Sequence, residues 1–185
     1  MLKYNFLLYL LSPVFLIRLI FYSKKSTGKL SYLSNKLYGG KISKNYSIWI
    51  HAASVGEMRI ALRISKSLLD KGYQNILITS NTPSSKYIWE GSKLNNVDHH
   101  YLPLDFYFTT KRFVKSIAAN TLIIIETEIW PNLYRLCKKC NKNIIMVNAR
   151  FNPPSGFLGL ISKNIYKSTL DNVDHIYCKS DKDVK

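Results

Sequence analysis

Short apolar runs alternate with amphipathic segments of helical period from residue 47 to residue 177. The run at 121–125 (TLIII) is almost wholly apolar and β-branched, which is typical of a strand covered on both faces. Alternating strands and helices predict an α/β fold, a Rossmann-like parallel sheet flanked by helices with right-handed crossovers. The predicted strands are 47–52, 75–79, 99–102, 121–125, 143–147 and 173–177. The predicted helices are 57–71, 110–117, 131–140 and a helix that follows a turn at 82–84 and ends at about 92.

An apolar run at residues 4–22 precedes this body. Its length is close to the roughly 20 residues that cross a bilayer as a helix, although Pro13 and Arg18 interrupt it. No small-residue cleavage site follows, which argues against a removed signal peptide. A buried core helix is the alternative, but we expect a membrane-anchor helix that spans or half-inserts. The predicted organisation is an anchor at 1–22, a basic linker at 23–46 and a Rossmann-like domain at 47–185.

Positive charge is concentrated near the amino terminus. The chain carries 27 Lys and Arg against 11 Asp and Glu, and no acid precedes Glu57. Such a block suits an anionic partner: phospholipid, phosphate or nucleic acid. Because it directly follows an apolar run and shows no nucleic-acid-binding motif, we expect membrane phospholipid and no nucleic acid. The lysines after the run predict that the rest of the chain lies on the cytoplasmic side of the membrane.

Three cysteines are too few for a secreted disulfide scaffold and indicate a reducing compartment. Cys137 and Cys140 have the spacing of half a zinc site, but no second Cys or His pair follows at a matching interval. We therefore expect no metal.

Polar residues follow four of the predicted strands, where ligands bind in open parallel sheets. They are Glu57, Thr82, Glu126 with Glu128, and Asn148 with Arg150. Some of these residues also have a structural explanation. Glu57 could complement a helix dipole, and Glu126 or Glu128 could pair with Arg150. His51 fits a strand-end or a catalytic role equally well.

A series of motifs resembles the N-terminal half of the 3-deoxy-D-manno-octulosonic acid (Kdo) transferases. The motifs are IWIHAASVGEMRIAL, ILITSNTPSS, YLPLD, IIIETEIWPNL and MVNAR, and the resemblance covers residues 1–181. It implies an inverting glycosyltransferase of the two-domain GT-B fold that needs neither metal nor cofactor. Its donor would be CMP-Kdo and its acceptor the lipid A precursor, at the cytoplasmic face of the inner membrane of Gram-negative bacteria.

The resemblance also implies roles for single residues. Glu57 would be the general base, and Glu126 or Glu128 the second essential acid. The side chains or backbone lining the cleft would be those of Ser54, Gly56, Thr82, Asn148 and Arg150.

Two features depart from the family pattern. After Arg150 the chain continues with FNPPSG where the family usually has a leucine and a second arginine–serine pair. The chain also stops at Lys185, near the expected interdomain crossover, so we expect the donor domain to be absent and no turnover by these residues alone. The alternative function is a membrane-anchored Rossmann-like binding module, or a truncated remnant, without catalytic activity.

Overall fold

The computed structural model describes residues 2–24, 26, 28–40, 42, 44–150 and 156–180, with the side chains of 2, 3 and 156–162 outside this description. Across the described residues the chain forms eight helices and six strands. The strands are β1 (Ile48–His51), β2 (Ile76–Ser80), β3 (Val97–Tyr101), β4 (Thr121–Ile125), β5 (Asn143–Ala149) and β6 (His175–Cys178). The helices are α1 (Leu2–Leu10), α2 (Ser12–Ser23), α3 (Lys29–Tyr38), α4 (Val55–Asp70), α5 (Pro83–Ser92), α6 (Tyr107–Ser116), α7 (Pro131–Lys139) and α8 (Gly156–Leu170).

All six strands are parallel and lie in the order β3-β2-β1-β4-β5-β6. This order confirms the predicted α/β fold. The chain winds outward from β1 in one direction and from β4 in the other, so the connection from β3 to β4 reverses the strand order. The carboxyl ends of β1 and β4 therefore lie side by side at a topological switch point, where ligands bind in sheets of this kind.

Alternation along the strands divides the core into two layers. In β1, Ile48 and Ile50 pack on one face of the sheet with Met58 and Ala61 of α4. Trp49 packs on the other face, in the larger cluster that receives α6 and α7. Helices on both faces bury both sides of the sheet, which explains why β4 is apolar after Thr121.

The sequence of α4 determines which face of the helix is buried and where the helix ends. Its apolar residues recur at helical spacing and Met58 and Ala61 are fully buried, while Arg59 and Arg63 are exposed. Gly72, just beyond the helix, adopts a φ of 90°, a left-handed conformation that glycine adopts without strain.

Residues 4–22 form two helices where one was expected. Pro13 is the second residue of α2 and has no N–H to donate to the Tyr9 carbonyl, so the helix breaks at Leu11. Among the described residues, no single helix is long and apolar enough to cross a membrane. Tyr4–Leu10 and Ser12–Ser23 meet that length and composition only as a pair bent by 59°.

The stretch read as a basic linker contains helix α3. Tyr32 and Lys36 of α3 are buried, and Tyr32 packs with Leu19 of α2 and Tyr101 of β3. Helix α3 therefore packs against both α2 and the α/β body.

Candidate active site

Glu57 lies at the first turn of α4, directly after β1. Ser54 is the N-cap of this helix, and its hydroxyl oxygen accepts from the Glu57 N–H at 3.3 Å. The Glu57 carboxylate reaches back and accepts from the Ser54 hydroxyl at 2.6 Å and from the Ala53 N–H at 2.7 Å. This reciprocal arrangement is a form of the capping box. It fixes the rotamer of Glu57 at the switch point.

The Glu57 carboxyl is held in a poorly hydrated place, with only 6% of the residue exposed. Burial raises its pKa, the hydrogen bonds from Ser54 and Ala53 oppose that rise, and the charge of Glu126 adds to it. A carboxylate whose pKa is raised is a better proton acceptor for a substrate hydroxyl.

Glu126 follows β4 in a strained conformation. Its φ is 62°, in the left-handed region that costs a non-glycine residue about 1 kcal/mol or more. Asn148, at the end of the adjacent β5, also has a positive φ of 59°, and β5 is bulged between Val147 and Ala149. The Asn148 side-chain amide donates to the Glu126 carboxylate at 3.2 Å. Strain retained at two neighbouring strand ends is typical of a functional site.

The carboxyl group of Glu128 is strongly perturbed by its surroundings. The indole N–H of Trp130 donates to its carboxylate at 3.0 Å, and the Tyr134 hydroxyl donates to its backbone carbonyl. Burial and the negative charge of Glu57 raise the pKa of Glu128 to about 7, and the Trp130 hydrogen bond only partly opposes this. Glu128 therefore exchanges a proton near neutral pH.

The three carboxyl groups share one electrostatic environment. The charges of Glu57 and Glu126 both raise the pKa of Glu128, and the charge of Glu126 also raises the pKa of Glu57. None of the ion pairs among the described residues includes any of the three, or Arg150. The pairing of Glu126 or Glu128 with Arg150 is therefore not formed, and Asn148 and Trp130 are the partners instead.

Within the described residues no group of three or more His, Cys, Asp or Glu side chains is placed to hold a metal ion. Cys137 and Cys140, the pair with the spacing of half a zinc site, are free thiols, and Cys137 is buried in the core.

Thr82, Arg150 and Gly56 were also predicted to belong to the site. Thr82 caps α5 by accepting from the Ser85 N–H at 3.3 Å. Arg150 is exposed and its backbone exchanges hydrogen bonds with the Thr127 hydroxyl. Gly56 is exposed, and a Cβ there would meet only the Ser54 hydroxyl, at 3.9 Å. No contact within the described residues requires glycine at 56, so the missing side chain leaves open space beside Glu57.

A cavity of about 390 Å³ lies at the same edge of the sheet, between α1–α2 and the loops after β2, β3 and β4. Its lining is mostly apolar, with Leu8, Phe15 and Ile129 among its side chains. The three glutamates do not line it, and of the predicted site residues only Thr82 does. Trp130 links the two features, because it lines the cavity and also donates to Glu128.

Lys36 is a cavity residue that the sequence analysis placed only in the linker. It is 4% exposed, and its ammonium donates to the Asn81 side chain and the Leu102 carbonyl, both at 2.7 Å. Both acceptors are neutral, and burial lowers the pKa of Lys36 to about 7. A buried cation whose acceptors, in the described part of the chain, include no carboxylate suits an anionic ligand.

His51 lies at the end of β1, fully buried. Its Nδ1 shares a hydrogen bond of 3.0 Å with the Thr79 hydroxyl, and its Nε2 has no partner among the described residues. Burial, aided by the charge of Lys36, lowers the pKa of His51 to about 3. The ring is therefore neutral at physiological pH, in edge-to-face contact with Trp130 at 6.2 Å between centroids.

The fold and the site together define a Rossmann-like α/β protein with coupled carboxyl groups at the switch point of its sheet. Residues 16–185 match a family model described as 3-deoxy-D-manno-octulosonic-acid transferase (kdotransferase). The chain belongs to this family, as the sequence motifs indicated, and its fold is consistent with the N-terminal domain of a GT-B enzyme.

Individual relatives carry the same description. A 3-deoxy-D-manno-octulosonic acid transferase of Rickettsia felis is 35% identical over 75% of this chain and 30% of its own length. That of Rickettsia bellii is 30% identical over 98% of this chain and 44% of its own length. That of Haemophilus influenzae is 36% identical over 58% of this chain and 26% of its own length. The chain thus spans less than half the length of each of these relatives.

Proposed function

We propose that this chain carries the acceptor side of a Kdo transferase that moves Kdo from CMP-Kdo to the lipid A precursor. One observation carries the proposal: Glu57 shares an electrostatic site with Glu126 and Glu128 at the switch point of the sheet, and no ion pair of the described residues neutralises them. Carboxyl groups held in this way are suited to proton transfer. Family membership supplies the sugar that is transferred.

In this mechanism Glu57 accepts the proton of the acceptor hydroxyl. That oxygen attacks the anomeric carbon of Kdo as the bond to CMP breaks, so the configuration inverts. In this mechanism the base is a side chain, and no step uses a metal ion. Glu128 is the better candidate for the second acid, because its proton exchanges near neutral pH and its pKa responds directly to Glu57. Glu126 then positions Asn148.

The cavity supports a lipid acceptor. Apolar side chains from α1 and α2 suit acyl chains, and the cations Lys36 and Arg18 in the same lining suit phosphate or carboxylate groups. Exposed apolar residues on α1 and α2, with basic residues after them, support association with the cytoplasmic face of the inner membrane.

The test is transfer by a hybrid enzyme. In the hybrid, this chain replaces the matched segment of the Rickettsia bellii relative, and Kdo transfer from CMP-Kdo to the lipid A precursor is followed by chromatography. We expect product formation above that of the relative lacking its matched segment. A folded hybrid that binds both substrates and forms no product contradicts the proposal.

A binding module without chemistry is the second candidate, and one observation favours it. Both carboxylate oxygens of Glu57 already accept hydrogen bonds within the capping box, from Ala53 and Ser54. A Glu57 that served only to cap α4 would make the same two hydrogen bonds. The substitution of Glu57 argued in the Discussion separates the two candidates.

Replacing Gly56 with alanine tests whether the open space beside Glu57 is used. The new Cβ fits at 3.9 Å from the Ser54 hydroxyl, and alanine favours helix by up to about 1 kcal/mol over glycine. We expect an unchanged or slightly higher melting temperature of the chain, with at least a tenfold rise in the acceptor KM of the hybrid. Gly91 in α5, where a Cβ meets nothing within 4 Å, is the matched control, and Gly91→Ala should leave the KM unchanged. An unchanged KM in Gly56→Ala would show that the acceptor does not approach this point.

A further inference from the structure

Lys36 is buried in the wall of the cavity without an acidic partner. Its ammonium donates to the Asn81 side chain and the Leu102 carbonyl, both at 2.7 Å, and a third N–H remains. Both acceptors are neutral, so the positive charge is uncompensated at a residue that is only 4% exposed. Among the described residues that line the cavity, Asp105 is the only acid, and no ion pair joins it to Lys36. A buried charge of this kind is costly unless a group of opposite charge approaches it.

The Asp105 carboxylate is already used by other donors. Its Oδ2 accepts from the Tyr4 hydroxyl and the Asn132 N–H, and its Oδ1 accepts from the Leu133 N–H, each at 2.9 Å. These bonds fix the carboxylate at the start of α7. The cavity also has a second cation in its lining, Arg18, which forms no ion pair within the described ranges. Positive charge therefore exceeds negative charge in this lining.

His51 has a buried polar atom that is left over beside the same wall. Its Nε2 makes no hydrogen bond to any residue that the structure describes. Its ring packs edge-to-face with Trp130, which lines the cavity, and after burial the Lys36 charge is the next cause that lowers the pKa of His51. The two groups are held by one stretch of chain, because His51 Nδ1 bonds the Thr79 hydroxyl in β2 and Lys36 bonds Asn81 just after β2. The cation and the unpartnered nitrogen therefore lie close together.

Lys142 shows that burial against carbonyl groups alone does not make a binding site. It is 5% exposed, and its ammonium donates to the Ile117 and Ala119 carbonyls at 2.7 and 2.6 Å. It does not line the cavity. Lys36 differs because the cavity wall, a second cation and the unpartnered Nε2 of His51 occur together around it.

We propose that Lys36 and His51 together bind one oxyanion, a phosphate or carboxylate group of a ligand in the cavity. Lys36 supplies its charge and its third N–H. His51 supplies an N–H at Nε2, in the tautomer whose Nδ1 accepts from the Thr79 hydroxyl. The identity of the ligand rests on the proposed function, in which a phosphate of the lipid acceptor and the carboxylate of Kdo are two such groups. Binding of the oxyanion itself does not depend on sugar transfer.

Sulfate is a suitable probe, because it is an oxyanion whose charge does not change near neutral pH. Its affinity for the 185-residue chain is measured by calorimetry in nonionic detergent at about pH 6, below the Lys36 pKa of about 7. We expect Lys36→Met and His51→Phe each to weaken sulfate binding by roughly tenfold or more, since each removes a hydrogen bond to a charged group. Lys142→Met is the matched control and should bind sulfate as the parent chain does. Parental affinity in either Lys36→Met or His51→Phe would overturn the shared site.

A second measurement needs no substitution and therefore no variant that folds. In the parent chain with ¹⁵N-labelled histidine, sulfate should shift the Nε2 resonance of His51 to that of a protonated, hydrogen-bonded nitrogen. A resonance that sulfate does not move would contradict the role of His51.

The hybrid enzyme identifies the substrate that carries the oxyanion. If Lys36→Met raises the KM for the lipid acceptor by about tenfold or more and leaves that for CMP-Kdo unchanged, the site binds the acceptor's phosphate. The reverse result assigns the site to the carboxylate of Kdo. Unchanged KM values for both substrates would overturn the link between this site and the reaction. A parent hybrid without activity would contradict the proposed function and leave sulfate binding by the chain intact, so the two failures are distinguishable.

Discussion

Replacing Glu57 with glutamine is expected to lower the kcat for Kdo transfer by roughly 10²- to 10⁴-fold while leaving the fold intact. Glutamine cannot accept the substrate proton, but it completes a capping box as well as glutamate does. Its amide oxygen can still accept from the Ala53 N–H, and its amide N–H can donate to the Ser54 hydroxyl. The kcat is measured in the hybrid enzyme, and stability by thermal unfolding of the chain.

Ser54→Ala is the matched control, because it removes the cap and keeps the carboxylate. We expect it to lose about 1 kcal/mol of unfolding free energy and to lose much less activity than Glu57→Gln does. Near-normal kcat in Glu57→Gln would remove Glu57 from the base role and favour the binding module. Equal loss of activity in both variants would show that the position of α4, and not the base, is what matters.

The sheet was predictable because its strands can be recognised in the sequence as short apolar runs. The apolar run at 121–125 became β4 with the predicted bounds, and the pattern of α4 set its buried face. The break at Leu11 follows from Pro13, a signal present in the sequence. Helix α3 was missed because its lysines and the glycines on either side of it are typical of a linker, although Leu30, Leu33 and Leu37 recur at helical spacing. Tertiary contacts of Tyr32 and Lys36 stabilise it.

The candidate site was predictable in position but not in detail. Parallel strands place their carboxyl ends at one edge, so Glu57, Glu126 and Glu128 could be expected together. The Ser54-x-x-Glu57 spacing already signals a capping box, and that signal could have been used. The burial of Lys36 could not be predicted from the sequence, because its acceptors Asn81 and Leu102 are distant from it along the chain.

Replacing Glu128 with glutamine is expected to stabilise the chain above neutral pH. The pKa of Glu128 is about 7 in the folded chain against an ordinary value of 4.5, so the folded state binds this proton more tightly than the unfolded state. Stability therefore falls as pH rises from about 4.5 to about 7, where the buried carboxyl becomes charged beside Glu57. The full difference is on the order of 3 kcal/mol, and the neutral side-chain amide of the Glu128→Gln variant does not incur it.

The measurement is the free energy of urea unfolding in nonionic detergent between pH 4.5 and pH 8. Asp105 and Lys36 also have pKa values near 7, so the informative quantity is the difference between variant and parent. This difference should be near zero at pH 4.5 and largest at pH 8. Glu90→Gln, at a largely exposed ion pair with Lys86, should differ from the parent by less than about 1 kcal/mol at every pH.

If the difference in unfolding free energy between variant and parent does not grow with pH, Glu128 is charged over the whole pH range measured. It then neither gains nor loses a proton near neutral pH. If this difference grows with pH as expected, Glu128 destabilises the fold when it is charged. Such a group is typical of an active site. The same substitution made together with Glu57→Gln should give a smaller difference, since the Glu57 charge is part of the cause. Stability gained and activity lost at one residue would identify Glu128 as the second acid.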